Sequence, residues 1–262
     1  MGTDFFLPGV YDVDRLLGFL LVLTRVAGVF IFVPLPGVNS SPVAARIVLS
    51  LAITLCLLPL WPPAAGLDQS VARLAGYAVM DAGVGMVLGL TVAFAIEAMK
   101  VAAQVAGLQA GFGYASTIDP ASEADSSLLL VIAELFAGLL FFAAGFDRQV
   151  IAILAGTLKT MPPGQIAQLH AAPDALARLG GELFAYGLRL AFPVISFLVL
   201  VDLTLGFLGR VNAQLQLLTL AFPVKIMAAL ALFALLAPVY ARVYQGFAQH
   251  AMETAGRLLL RR

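Results

Sequence analysis

GLQAGFGYASTIDPASEAD, residues 107–125, interrupts a chain that is otherwise apolar enough for a lipid bilayer. Glycines at 107, 111 and 113 open backbone conformations closed to other residues, and Pro120 excludes a helix through its own position. The stretch is therefore expected to be a loop between two long hydrophobic helices. Non-helical backbone at membrane depth persists only where protein covers it or water reaches it, so a loop placed here lines or blocks a passage. The competing reading is an ordinary surface connection. Leu108, Phe112 and Ile118 supply apolar bulk that can fill a constriction.

Working outward, the composition sets the class. Hydrophobic residues make up 61% of the chain, charged residues 11%, and the mean hydropathy is +1.00. Soluble domains hold only about 45–50% apolar residues, so this is an integral membrane protein. The apolar runs are continuous, without the two-residue alternation of barrel strands, which makes the fold all-α. Fifteen basic and fifteen acidic residues cancel, and nothing in that balance selects nucleic acid as a partner. Cys56 is the single cysteine, so an intrachain disulfide and a cysteine metal cluster are excluded. His170 has neither a second histidine nor an acidic cluster at metal-ligand spacing. No phosphate-binding glycine loop, HExxH or nucleophile elbow is present, and the glycines at 107, 111 and 113 do not have dinucleotide-fingerprint spacing. Neither an enzyme nor a bound cofactor is expected.

The first long run predicts a helix from about Arg15 to Val33, capped by Asp12 or Asp14. Acids precede this run where a signal peptide would carry basic residues. Arg25 lies at its centre, where a charge costs about 2.5–3.5 kcal/mol on insertion scales, so it needs a partner or water. PLPGVNSSP at 34–42 reads as a tight hairpin that makes the first two helices neighbours. The second run, Val43 to Trp61, carries Arg46 near its start, and its tryptophan suits a membrane interface.

Val71 to Ala106 is longer than one crossing requires. Gly85 and Gly89 form a GxxxG that lets a neighbouring helix come close. Glu97 and Lys100 share a face and can neutralise each other, whereas Asp81 has no local partner. A fourth run spans Ser126 to Phe146, contains Glu134 and meets a polar edge at residues 147–149. A further short helix reaches a break at Met161–Pro173. A fifth run extends from a capping Asp174 to about Arg210, with Glu182 and Arg189 on one face and a kink expected at Pro193. The last run holds Pro223, Lys225 and Pro238. Its tail from Ala241 to Arg262 is amphipathic and basic, which favours a cytoplasmic C-terminus.

Charges inside apolar runs, among them Arg25, Arg46, Glu97, Lys100, Asp202, Arg210 and Lys225, must be satisfied. Helices that enclose a polar pathway achieve this, and so does packing against other subunits. A secondary transporter using Asp81, Glu134 and Asp202 for protons or ions is the alternative function from a different class, although the chain shows no internal repeat.

Four segments taken in order resemble a known family: LTRVAGVFIFVPLPG at 23–37, the proline-rich hairpin before Arg46, GLQAGFGYASTIDP at 107–120, and DLTLGFLGRVNAQLQLLTLAFPVKI at 202–226. Together they resemble the FliR/SctT family, the R component of the flagellar type III export gate and its injectisome relatives, over almost all of the single domain 1–262. The sharpest part is Arg210, Gln214, Pro223 and Lys225. There the family tends to Arg-x-x-Pro-Gln followed by Pro-x-Lys, and Ala213 departs from that pattern.

The resemblance implies a non-enzymatic subunit of the bacterial inner membrane at the flagellar basal body. One copy would join several P and Q components in a helical assembly of hairpins, with the B component nearby. That assembly would form the entrance pore for unfolded export substrates. The resemblance also implies that Gly107 to Pro120 projects into the pore as a plug, and that buried charges serve as contacts between subunits.

Overall fold

The computed structural model describes residues 13–33, 43–61, 70–112, 128–162, 172–211 and 217–260. Among these residues the chain is all-α, with seven α-helices, one short 3-10 turn and no strand. The helices are α1 (Val13–Phe32), α2 (Val43–Cys56), α3 (Val71–Ala110), α4 (Leu128–Ala143), α5 (Phe146–Thr160), α6 (Ala172–Val211) and α7 (Leu217–Leu260). The 3-10 turn, Leu58–Leu60, follows α2. Four helices are long and apolar enough to cross a membrane, or five if α4 and α5 together serve as one broken span.

At 40, 40 and 44 residues, α3, α6 and α7 exceed a single crossing. At about 1.5 Å per residue each is about 60 Å long or more, against a hydrocarbon core of about 30 Å. Pro193 lies inside α6, and Pro223 and Pro238 lie inside α7, and none of them ends its helix. Apolar surroundings favour keeping every other backbone hydrogen bond of these helices, so losing one donor does not terminate the run.

Several boundaries differ from the sequence expectations. α3 continues through Gly107 and Leu108 to Ala110, because one helical glycine costs only about 1 kcal/mol and cannot stop a long helix. The residue that stops it is Gly111, at φ +93°, whose N–H reaches the carbonyls of both Gly107 and Leu108 at 3.1 Å. This left-handed termination is the conformation glycine adopts without strain. The fourth run breaks at Ala144 and Gly145, the latter at φ +74°. The break therefore precedes the polar residues, and Asp147 lies in the first turn of α5, where the helix dipole favours a carboxylate. α6 begins at Ala172, so Asp174 lies within its first turn rather than capping it. α1 likewise starts at Val13, which puts Asp14 inside the helix. Asp12, the 34–42 hairpin and His170 lie outside the described residues.

The chain divides into two compact units, each assembled from separated stretches. One takes residues 1–93, 145–177 and 250–262, and the other takes 94–144 and 178–249. In the first, Val22, Val26 and Val29 of α1, Val84, Val87 and Leu88 of α3, Leu154 and Leu158 of α5, and Leu259 of α7 form one buried cluster. α1 and α2 are neighbours, as the hairpin reading requires. Trp61 is half-buried against Phe19, with ring centroids 5.4 Å apart, and its Nε1 donates to the Thr54 carbonyl at 3.0 Å.

The second unit closes on small residues and aromatics. A Cβ at Gly187 of α6 would lie 2.8 Å from Val101 Cγ1 and 3.0 Å from the Ala98 carbonyl oxygen, so α6 and α3 approach closely there. Tyr186 stacks on Phe247 at 4.6 Å, and Phe233 meets both Phe136 and Tyr240.

Candidate functional site

In the first unit the glycines of α3 set the geometry around Arg25. A Cβ at Gly85 would collide with the Arg25 carbonyl oxygen, one at Gly89 with the Val29 carbonyl oxygen, and one at Gly28 with the Ala82 carbonyl oxygen. The backbones of α1 and α3 therefore touch, and the GxxxG finds its partner in α1 of the same chain. Asp81 precedes Gly85 by about one helical turn and is carried to the Arg25 side chain.

Arg25 and Asp81 are both sealed, with 1% and 0% of their surface exposed. Arg25 Nε donates to Asp81 Oδ1 at 2.8 Å, and Nη2 pairs with the same oxygen. Nη1 donates to the Thr157 carbonyl at 3.0 Å and Nη2 to the Met161 carbonyl at 2.9 Å. These carbonyls lie at the C-terminal end of α5, where the helix dipole concentrates negative potential; the Thr157 carbonyl also accepts from the Met161 N–H at 2.9 Å, and Met161, past the last turn, has the freer acceptor. One guanidinium thus neutralises a carboxylate and caps a helix. The sequence showed that Arg25 needed a partner; the partner itself follows only from the glycine register.

In the second unit three polar side chains converge where α3 ends. Lys225 of α7 lies 2.9 Å from Oδ1 and 3.0 Å from Oδ2 of Asp202 on α6. Gln109 Nε2, in the last turn of α3, donates to the same Oδ2 at 3.1 Å. Asp202 is 42% exposed and Lys225 13%. Beside them Phe222 covers Gly111, its Cδ1 only 2.6 Å from where a Cβ would stand. Neither Gln109 nor Phe222 stood out in the sequence, since a glutamine near a helix end and a phenylalanine in an apolar run are ordinary.

The remaining expected residues are placed less centrally. Glu97 and Lys100 pair along α3 at 2.6 Å, both partly exposed. Arg46 is half-buried in the first turn of α2, and its Nε has no hydrogen-bond partner among the described residues. Arg210 is exposed in the last turn of α6, a favourable place for a cation, and Pro223 lies in α7. Leu108 is 70% exposed on α3 and Phe112 half-buried. Gly113, Ile118, Pro120 and Gln214 lie outside the described residues. Arg25 and Lys225 both find counter-charges inside the chain.

The family model for bacterial export proteins, family 1, matches residues 16–251, a span that takes in both clusters. The chain belongs to that family. Its relatives include the flagellar biosynthetic protein FliR of Escherichia coli (strain K12), 32% identical over 221 residues that cover 84% of each chain. FliR of Bacillus subtilis (strain 168) is 28% identical over 228 residues, covering 82% of this chain and 83% of the relative. The surface presentation of antigens protein SpaR of Salmonella typhimurium (strain LT2) is 27% identical over 208 residues, covering 78% and 77%. The resemblance read from the four segments is thus the family relationship. With its long apolar helices, this member of the export family is a multi-pass membrane protein.

Proposed function

We propose that this chain is a non-enzymatic subunit of the flagellar type III export gate. It lies in the bacterial inner membrane, joins the P and Q components beside the B component, and helps to form the entrance pore for unfolded export substrates. Family membership supports the export role, and the match to E. coli FliR at 32% against 27% for SpaR favours the flagellar machine. The basic end of α7 favours a cytoplasmic C-terminus.

Within that gate the stretch from Gly107 to Pro120 acts as the resting plug. The observation that carries this assignment is the abrupt end of α3 at Gly111, whose left-handed backbone turns the chain out of the helix beneath Phe222. A small bias suffices for a plug, because about 1.4 kcal/mol changes a two-state ratio tenfold. Arg25 neutralises Asp81, and Lys225 neutralises Asp202, which leaves these two acids poorly suited to the ion-carrying role of the transporter alternative.

Deleting residues 114–119 tests the assignment. The assembled complex should still form and should conduct small ions at rest. Equal conductance of wild-type and deleted complexes at equal assembly would exclude the plug.

A further inference from the structure

Asp202 sits between two donors that arrive from different helices. Gln109 belongs to the last turn of α3, two residues before the left-handed Gly111, and Lys225 belongs to α7. Phe222 is three residues before Lys225 and therefore on the same face of α7. The early part of α7 thus holds the end of α3 at two points, by charge at Gln109 through Asp202 and by the aromatic ring over Gly111. Pro223 lies between these points and removes one backbone hydrogen bond from the same turn of α7, which softens the helix there.

The strength of this grip sets it apart from ordinary core packing. Asp202 is 42% exposed, so its own chain leaves one side of the ion pair uncovered, unlike the sealed Arg25 and Asp81. A polar contact that its own chain covers on one side only can open and re-form without unfolding either helix. Its position matters because α3 leads directly into the stretch proposed to close the pore.

We infer that Gln109, Asp202 and Lys225, with Phe222 over Gly111, form a reversible latch that holds the C-terminal turn of α3 in the resting state of the gate. Displacement of the first turns of α7 releases the ion pair and the ring together. The latch rests on the plug reading, since holding α3 regulates conductance only if the following residues close the pore.

The test measures resting conductance per assembled complex in reconstituted membranes for Asp202→Asn, Lys225→Met, Gln109→Leu and the charge exchange Asp202→Lys with Lys225→Asp. Each variant is made with and without deletion of residues 114–119. Loss of either charge should raise resting conductance roughly two- to fivefold, the range for a partly exposed ion pair. Gln109→Leu, which leaves the ion pair intact, should raise it less. The exchange should bring conductance back towards wild type, because the Gln109 amide can accept from a lysine as readily as it donates to a carboxylate. In the deleted background none of the variants should add to the leak.

If the deletion leaks and the single variants do not, the latch is wrong while the plug stands. If the deletion does not leak, the plug reading fails and the latch fails with it. If the single variants lose assembly and the exchange fails to restore it, the contact is structural and the latch is overturned.

Discussion

Two ion pairs built from similar groups stand in opposite surroundings in this protein. Arg25 and Asp81 are sealed from solvent, and the guanidinium also serves two carbonyls at the end of α5. Lys225 and Asp202 are only partly covered by the chain, and one Asp202 oxygen also accepts from a glutamine. Removing one partner of a sealed pair strands a charge where water cannot reach it, at a cost of about 3–5 kcal/mol. An exposed pair contributes about 0–1 kcal/mol, because water replaces either partner. The sealed pair therefore holds the fold, and the open one is the easier of the two to part.

The contrast can be broken most directly at Arg25. Arg25→Ala should destabilise the complex by about 3–5 kcal/mol, visible as loss of assembled protein and a lower melting temperature in detergent. Replacing Arg25 and Asp81 together with apolar residues should recover part of this loss but not all of it, since the Met161 carbonyl would still lack the donor that Arg25 supplies. Full recovery would show that capping α5 contributes nothing.

A smaller effect tests how Asp81 is delivered. Gly85→Ala drives a methyl into the Arg25 carbonyl and should cost about 1–3 kcal/mol, while Gly83→Ala, which meets nothing within 4 Å, should be neutral or mildly stabilising. Equal melting temperatures for the two variants would contradict the close contact of α1 and α3.

At the open pair, Lys225→Met should lower the stability of the assembled complex by no more than about 1 kcal/mol. A loss as large as that of Arg25→Ala would erase the distinction between the two pairs. The smallest effect belongs to Glu97 and Lys100, neighbours on one helix face and worth about 0.2–0.5 kcal/mol. The double change to glutamine should perturb melting less than Lys100→Gln alone, which leaves Glu97 without its cation.

Much of the fold was legible because it depends on local composition. Continuous apolar runs set by the bilayer require helices, and GxxxG announces a close helix neighbour wherever it packs. Helix ends were less legible. Of three glycines near the end of α3, at 107, 111 and 113, the structure uses Gly111 to stop the helix, and nothing in composition distinguishes it from Gly107. Asp174 looked like a cap and lies within the first turn, because Pro173 is itself tolerated there.

The amino-acid order by itself determined a helical membrane protein of the bacterial export family, with charges that demand partners and a glycine-rich interruption after its third long run. Hydrophobicity and backbone propensity act over a few residues and need no knowledge of neighbours. Only the tertiary structure decided that Arg25 answers Asp81 and the end of α5, and that Lys225 shares Asp202 with Gln109. These residues lie tens of residues apart, and their pairing depends on which helix faces meet and in what register. That register is set by glycine contacts and side-chain packing in three dimensions.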